Sequence, residues 1–66
     1  MGNHREMAPR AELSAIASSL EELLRRITAL AESAQAEDNE ELASELFTVE
    51  RSLHGALRRL RRAGAG

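Results

Sequence analysis

Between residues 13 and 34 the apolar side chains fall at Leu13, Ile16, Leu20, Leu23, Ile27, Leu30 and Ala34, with spacings that alternate three and four without exception. A strand would split this set between its two faces. On a helix the same spacing gathers them on one stripe. The pattern is a heptad seam, with Leu13, Leu20, Ile27 and Ala34 at a and Ile16, Leu23 and Leu30 at d. A second seam runs through Leu42, Leu46, Val49, Leu53, Ala56, Leu60 and Ala63. Between the two the phase breaks, because heptads continued from Ala34 would place Glu37, Glu41 and Ser44 in the seam. Two helices are therefore expected rather than one.

Local signals place their ends. Pro9 suits a first helical turn, where its missing N–H costs nothing. Asp38 followed by Glu41 three residues later reads as a capping box that opens the second helix. The AGAG at residues 63–66 stops it. The expected organisation is a flexible tail over 1–8, helix 1 over about 9–36, a turn at 37–38, helix 2 over about 39–63 and a flexible tail over 64–66.

Folding the chain about Asp38 sets Leu13 against Ala63, Ile16 against Leu60, Leu20 against Ala56, Leu23 against Leu53, Ile27 against Val49, Leu30 against Leu46 and Ala34 against Leu42. Every layer joins an a position to a d position, as antiparallel knobs-into-holes packing requires. The fold class expected is all-α: an antiparallel two-helix hairpin, coiled-coil-like.

The flanks of this seam differ. The e positions of both helices share one side and hold Ala17, Leu24, Ala31, Ala43, Glu50 and Leu57, apolar apart from Glu50. The g positions carry Ser19, Arg26, Ser33, Glu45, Ser52 and Arg59 and are polar throughout. Two helices cannot bury a, d and e together. A chain of 66 residues also buries only roughly 60% of its unfolded surface, so its own core is marginal. With no cysteine in the sequence, disulfides and thiolate zinc sites are excluded, and oligomerisation is the remaining source of stability. A homodimeric four-helix bundle is expected. Its interface is assigned to Ala17, Leu24, Ala31, Ala43, Phe47, Glu50 and Leu57. Within that set Glu50 reads either as a side chain reaching solvent or as a charge that pairs with an arginine of the other subunit. Phe47, the sole aromatic residue, reads as a cap on the dimer core or an anchor for another protein. Gly55, inside helix 2, either permits close helix approach or marks early fraying.

Charge is unevenly spread. Residues 1–31 carry four arginines and four glutamates, 32–50 carry seven acids and no base, and 51–66 carry five arginines and no acid. A hairpin thus has an acidic tip and a basic open end. The helix dipole by itself favours that polarity in helix 2. Arg51, Arg58, Arg59, Arg61 and Arg62 form a candidate surface for an anion or an acidic partner. Nucleic acid is not favoured, because the net charge is −2 and there is no Tyr or Trp to stack on bases.

No constellation for catalysis emerges. Glu21 and Glu22, like Glu40 and Glu41, are adjacent and point apart on a helix. His4 and His54 are too far apart in sequence for a helical ligand pair, and the inward Glu-x-x-His of a di-iron bundle is missing, since His54 follows Glu50 by four and occupies an outer position. No glycine-rich phosphate loop precedes a helix. No enzyme activity, cofactor or metal is expected. No apolar run reaches the roughly 18 residues of a membrane span, and the N-terminus lacks a signal-peptide core. The expectation is a small cytoplasmic bacterial protein that acts as a structural or regulatory protein–protein interaction module, through homodimerisation and docking to a partner. The alternative is a small nucleic-acid-binding hairpin dimer that uses the arginine end.

Overall fold

The computed structural model describes residues 2–65, with side chains over residues 9–64. Two helices, α1 (Gly2–Ala36) and α2 (Glu40–Ala65), pack against each other along their length as a hairpin. The molecule is a rod, 56 × 15 × 11 Å across its Cα atoms. Its long dimension is close to the roughly 52 Å that a 35-residue helix spans at 1.5 Å per residue.

α1 begins at Gly2, not at Pro9, so Pro9 lies inside the helix. Proline removes the N–H that would bond the carbonyl four residues earlier and crowds that carbonyl, at a cost of about 3 kcal/mol. The strong helix formers Arg5, Glu6, Met7 and Ala8 on its N-terminal side favour carrying the helix through that gap. At the other end α2 runs through Gly64 to Ala65, past the expected stop at Ala63. A Cβ placed on Gly64 would lie 3.9 Å from the Leu13 Cβ, in ordinary contact. Leu13 therefore faces residue 64, one place later than the expected pairing with Ala63.

The turn explains this one-residue shift. Asp38 has φ 63°, the left-handed conformation that closes a helix at the residue just beyond its cap. The Asn39 N–H donates to the Ala34 carbonyl at 2.8 Å and the Asp38 N–H to the Gln35 carbonyl at 3.1 Å. These are the two bonds of a Schellman motif, and they satisfy carbonyls that α1 would otherwise leave orphaned. Asn39, not Asp38, then caps α2. Its carbonyl accepts the first helical bond from the Ala43 N–H at 3.0 Å. Its side-chain Oδ1 accepts from the Leu42 N–H at 3.3 Å. The expected capping box does not form, because the third residue of the helix is Leu42 rather than a glutamate. Glu40 and Glu41 still occupy the first turn, where the helix dipole favours carboxylates.

The larger correction concerns which face is buried. The core consists of Ala17, Leu24, Ala31, Ala34, Ala43 and Leu57, with Leu20 and Leu53 packed against the Ala17–Leu24–Leu57 cluster. Five of the six are e positions. The hairpin is held by its a and e positions, whereas the d residues Ile16, Leu23, Leu30, Leu42 and Val49 remain 43–59% exposed. Ala56 and Ala63, also d, are exposed as well. The physical reason is side-chain size. Ala17, Ala31 and Ala43 recur along the e line, and small residues let two helix backbones approach closely. Turning the leucine-rich d line inward instead would hold the axes further apart.

Candidate interaction surface

The rotation of the seam decides what each candidate residue can do. Ala17, Leu24, Ala31, Ala43 and Leu57, assigned from sequence to a dimer interface, are covered by their own chain and retain at most 7% exposure. They have almost no surface left to offer a second subunit. Phe47 is half-buried and lines a shallow depression near the turn with Gln35, Ala43 and Ser44.

Glu50 interrupts the apolar e line. It is half-buried, and its carboxylate Oε2 accepts a hydrogen bond from the Thr28 hydroxyl across the hairpin. A half-buried charge without a partner is costly, and the threonine supplies a donor from the facing helix. Its partner within the hairpin is Thr28. The signal was present in the sequence, since Thr28 follows Ile27 on the flank that faces helix 2, but it becomes a pairing only once the a/e seam is known.

Among the described residues, two ion pairs order charged side chains on the surface. Arg61 Nη2 donates to Glu21 Oε2 at 2.8 Å, bridging α2 to α1. Arg25 Nη2 donates to Glu22 Oε1 at 2.7 Å, three residues apart on α1. The hydrogen bond from Arg61, reinforced by its charge, holds the Glu21 carboxyl below the ordinary glutamate range. The same logic raises the Arg25 guanidinium further, through its hydrogen bond to Glu22. The adjacent carboxylates Glu21 and Glu22 thus engage different arginines.

The other members of the arginine group, Arg51, Arg58, Arg59 and Arg62, are exposed. Arg61 is thus the member tied to α1, and the rest point outward around the open half of α2. His54 is also exposed and borders a groove with Glu21, Arg25, Glu32 and Arg61. Gly55 is half-buried, and a Cβ there would meet only the end of the Arg58 side chain at 4.0 Å. It therefore makes no room for a neighbouring helix within the hairpin, and α2 continues unbroken through it.

The most extensive unsatisfied feature is the d stripe. In an antiparallel pair, positions with the same heptad letter lie on the same side, so Ile16, Leu23 and Leu30 of α1 and Leu42 and Val49 of α2 form one apolar face. From Ile16 to Leu30 it extends about 21 Å at 1.5 Å per residue. Its rims are the g positions, with Glu12, Ser19, Arg26 and Ser33 on α1 and Glu45, Ser52 and Arg59 on α2. Among the described residues no helix is long and apolar enough to cross a membrane. No protein-family model, curated protein or solved structure matches the chain.

Proposed function

We propose that this protein is a non-enzymatic interaction module of the cytoplasm: a helical hairpin that homodimerises into a four-helix bundle and, as a bundle, docks onto a partner protein. The observation that carries the reading is the exposed apolar stripe of Ile16, Leu23, Leu30, Leu42 and Val49. Large apolar side chains aligned on one face of a soluble rod mark a surface that is covered in use. Sedimentation or light scattering of the native chain at micromolar concentration is expected to give twice the monomer mass. Leu23→Glu combined with Leu30→Glu should halve it. A native chain that stays monomeric and fully helical at that concentration would overturn the reading.

The second reading, a nucleic-acid-binding hairpin dimer, rests on the exposure of Arg51, Arg58, Arg59 and Arg62 around one end of the rod. Phosphate binding needs little more than clustered cations and weakens steeply with salt. It predicts a shift of labelled DNA or RNA at about 50 mM salt that is lost in Arg58→Ala with Arg62→Ala. No shift at that salt rejects it.

A further inference from the structure

We infer that the second copy covers the d stripe with its hairpin reversed end for end, so that each acidic tip lies over the basic end of the other copy and Arg59 of each meets the partner's Glu45. The inference rests on the homodimer reading and adds to it the orientation of the two hairpins.

Two face-to-face arrangements are open to a pair of identical hairpins. In one, both turns lie at the same end and α1 of each copy packs on α2 of the other. In the second, the turns lie at opposite ends, with α1 on α1 and α2 on α2. The first superposes two tips that carry seven acids and no base each over residues 32–50. The second sets those acids near the partner's arginines of residues 51–62.

The rim residues make this specific. Glu45 and Arg59 are both g positions of α2 on the stripe side, fourteen residues apart, with Ser52 midway between them. A two-fold axis at the level of Ser52 in the reversed arrangement brings Arg59 opposite the partner's Glu45 and Glu45 opposite the partner's Arg59. Two identical cross-dimer pairs result from one symmetry operation, as an isologous interface requires. The same axis passes α1 near residue 25, close to the middle of the stripe between Ile16 and Leu30, so apolar overlap and charge pairing share one register. In the arrangement with both turns together, Arg59 faces Ser19 and Glu45 faces Ser33, and neither finds an opposite charge. Two contacts oppose the reversed form: Arg26 comes near its own copy at the axis, and Glu12 falls level with the partner's Asp38. Arg26, Glu12 and Asp38 are exposed, and solvent screens like-charge contacts there.

The rims also argue for a second copy rather than a lipid surface. A membrane-binding face is edged by cations, whereas this stripe is edged by Glu12, Arg26, Glu45 and Arg59, of both signs.

Two measurements test the orientation. The chain has no cysteine, so Ala36→Cys, at an exposed outer position beside the turn, carries a single spin label per copy. In the reversed dimer the two labels lie eleven residues to either side of the axis, which gives about 35–40 Å between them at 1.5 Å per residue. With both turns at one end no axial separation remains, and only the width of the bundle, about 20 Å between the two Cβ atoms at interaxial distances of roughly 8–10 Å, lies between them. Separately, Arg59→Glu and Glu45→Arg are each expected to weaken self-association about five- to ten-fold at low salt, and the double charge swap to restore it. A short label distance in a sample of dimer mass overturns the reversed orientation and leaves the homodimer standing. A long distance without rescue by the double swap overturns the Arg59–Glu45 pairing. A native chain of monomer mass overturns the homodimer itself. The labelled variant keeps every native charge, so the distance stands even if a swapped variant folds poorly.

Discussion

Asp38 is the one non-glycine residue among those described with a positive φ, and a side chain in that region costs roughly 1–2 kcal/mol, less for Asp and Asn than for most. Asp38→Gly should relieve the strain while keeping both Schellman bonds, whose donors and acceptors are backbone groups. The expected result is a gain of about 0.5–1 kcal/mol in urea unfolding, the greater entropy of glycine in the unfolded chain taking back part of the benefit. Unchanged or lower stability would show that the Asp38 side chain contributes something the backbone does not. Gly55 presents the opposite case. Its backbone is ordinary helix, and an added Cβ meets only the flexible end of Arg58 at 4.0 Å. Gly55→Ala should therefore stabilise by about 0.5–1 kcal/mol, the usual helix-interior difference. A loss measured at a concentration where the chain is associated would mean that another molecule approaches α2 there.

At the scale of elements, the two helices are joined by backbone bonds at the turn and by side-chain bonds from Thr28 to Glu50 and from Arg61 to Glu21. The second of these gives a pH signature. Arg61 depresses the Glu21 pKa in the folded chain, so folding is favoured while the carboxylate is ionised. The contribution is complete above the unfolded glutamate value of about 4.3 and is lost as the pH falls through the lower folded value. Glu21→Gln should lower stability slightly at pH 7, where the contribution is complete, and the gap between the two proteins should close as the pH falls below about 4.3; the gap is small because the pair is solvent-exposed. Parallel curves for the two proteins over this range would remove Arg61–Glu21 from the list of folding contacts.

At the scale of the whole molecule, the stripe and the core predict separable phenotypes for adjacent leucines. Leu24 is 4% exposed and Leu23 47% exposed. Leu24→Ala should cost about 2–4 kcal/mol through lost burial and the cavity it leaves. Leu23→Ala should leave the hairpin's own packing intact and lower self-association. A melting temperature that rises with protein concentration is the mark of coupled assembly, and Leu23→Ala should weaken that dependence. Equal melting temperatures and equal masses for the two variants would contradict the division into core and stripe.

By itself the sequence determined the elements and their direction. Regular three–four spacing in Leu13–Ala34 and Leu42–Ala63, broken once, specifies two helices, and the matching lengths about a polar break specify an antiparallel hairpin. Those signals are local, and each is carried by residues within a few turns of one another. The turn was legible to within a residue, because Asp38 and Asn39 are both suited to cap a helix. The choice between them depends on which one takes the left-handed conformation to close α1. The tertiary structure alone decided the rotation of the helices. The a, d and e positions are all largely apolar, a stripe wider than one partner helix can cover, so the pattern permits an a/d seam or an a/e seam. Contact between the helices selects a/e, because the alanines at positions 17, 31 and 43 let the backbones approach. The leucines expected inside are thereby exposed, and the flank expected outside becomes the core.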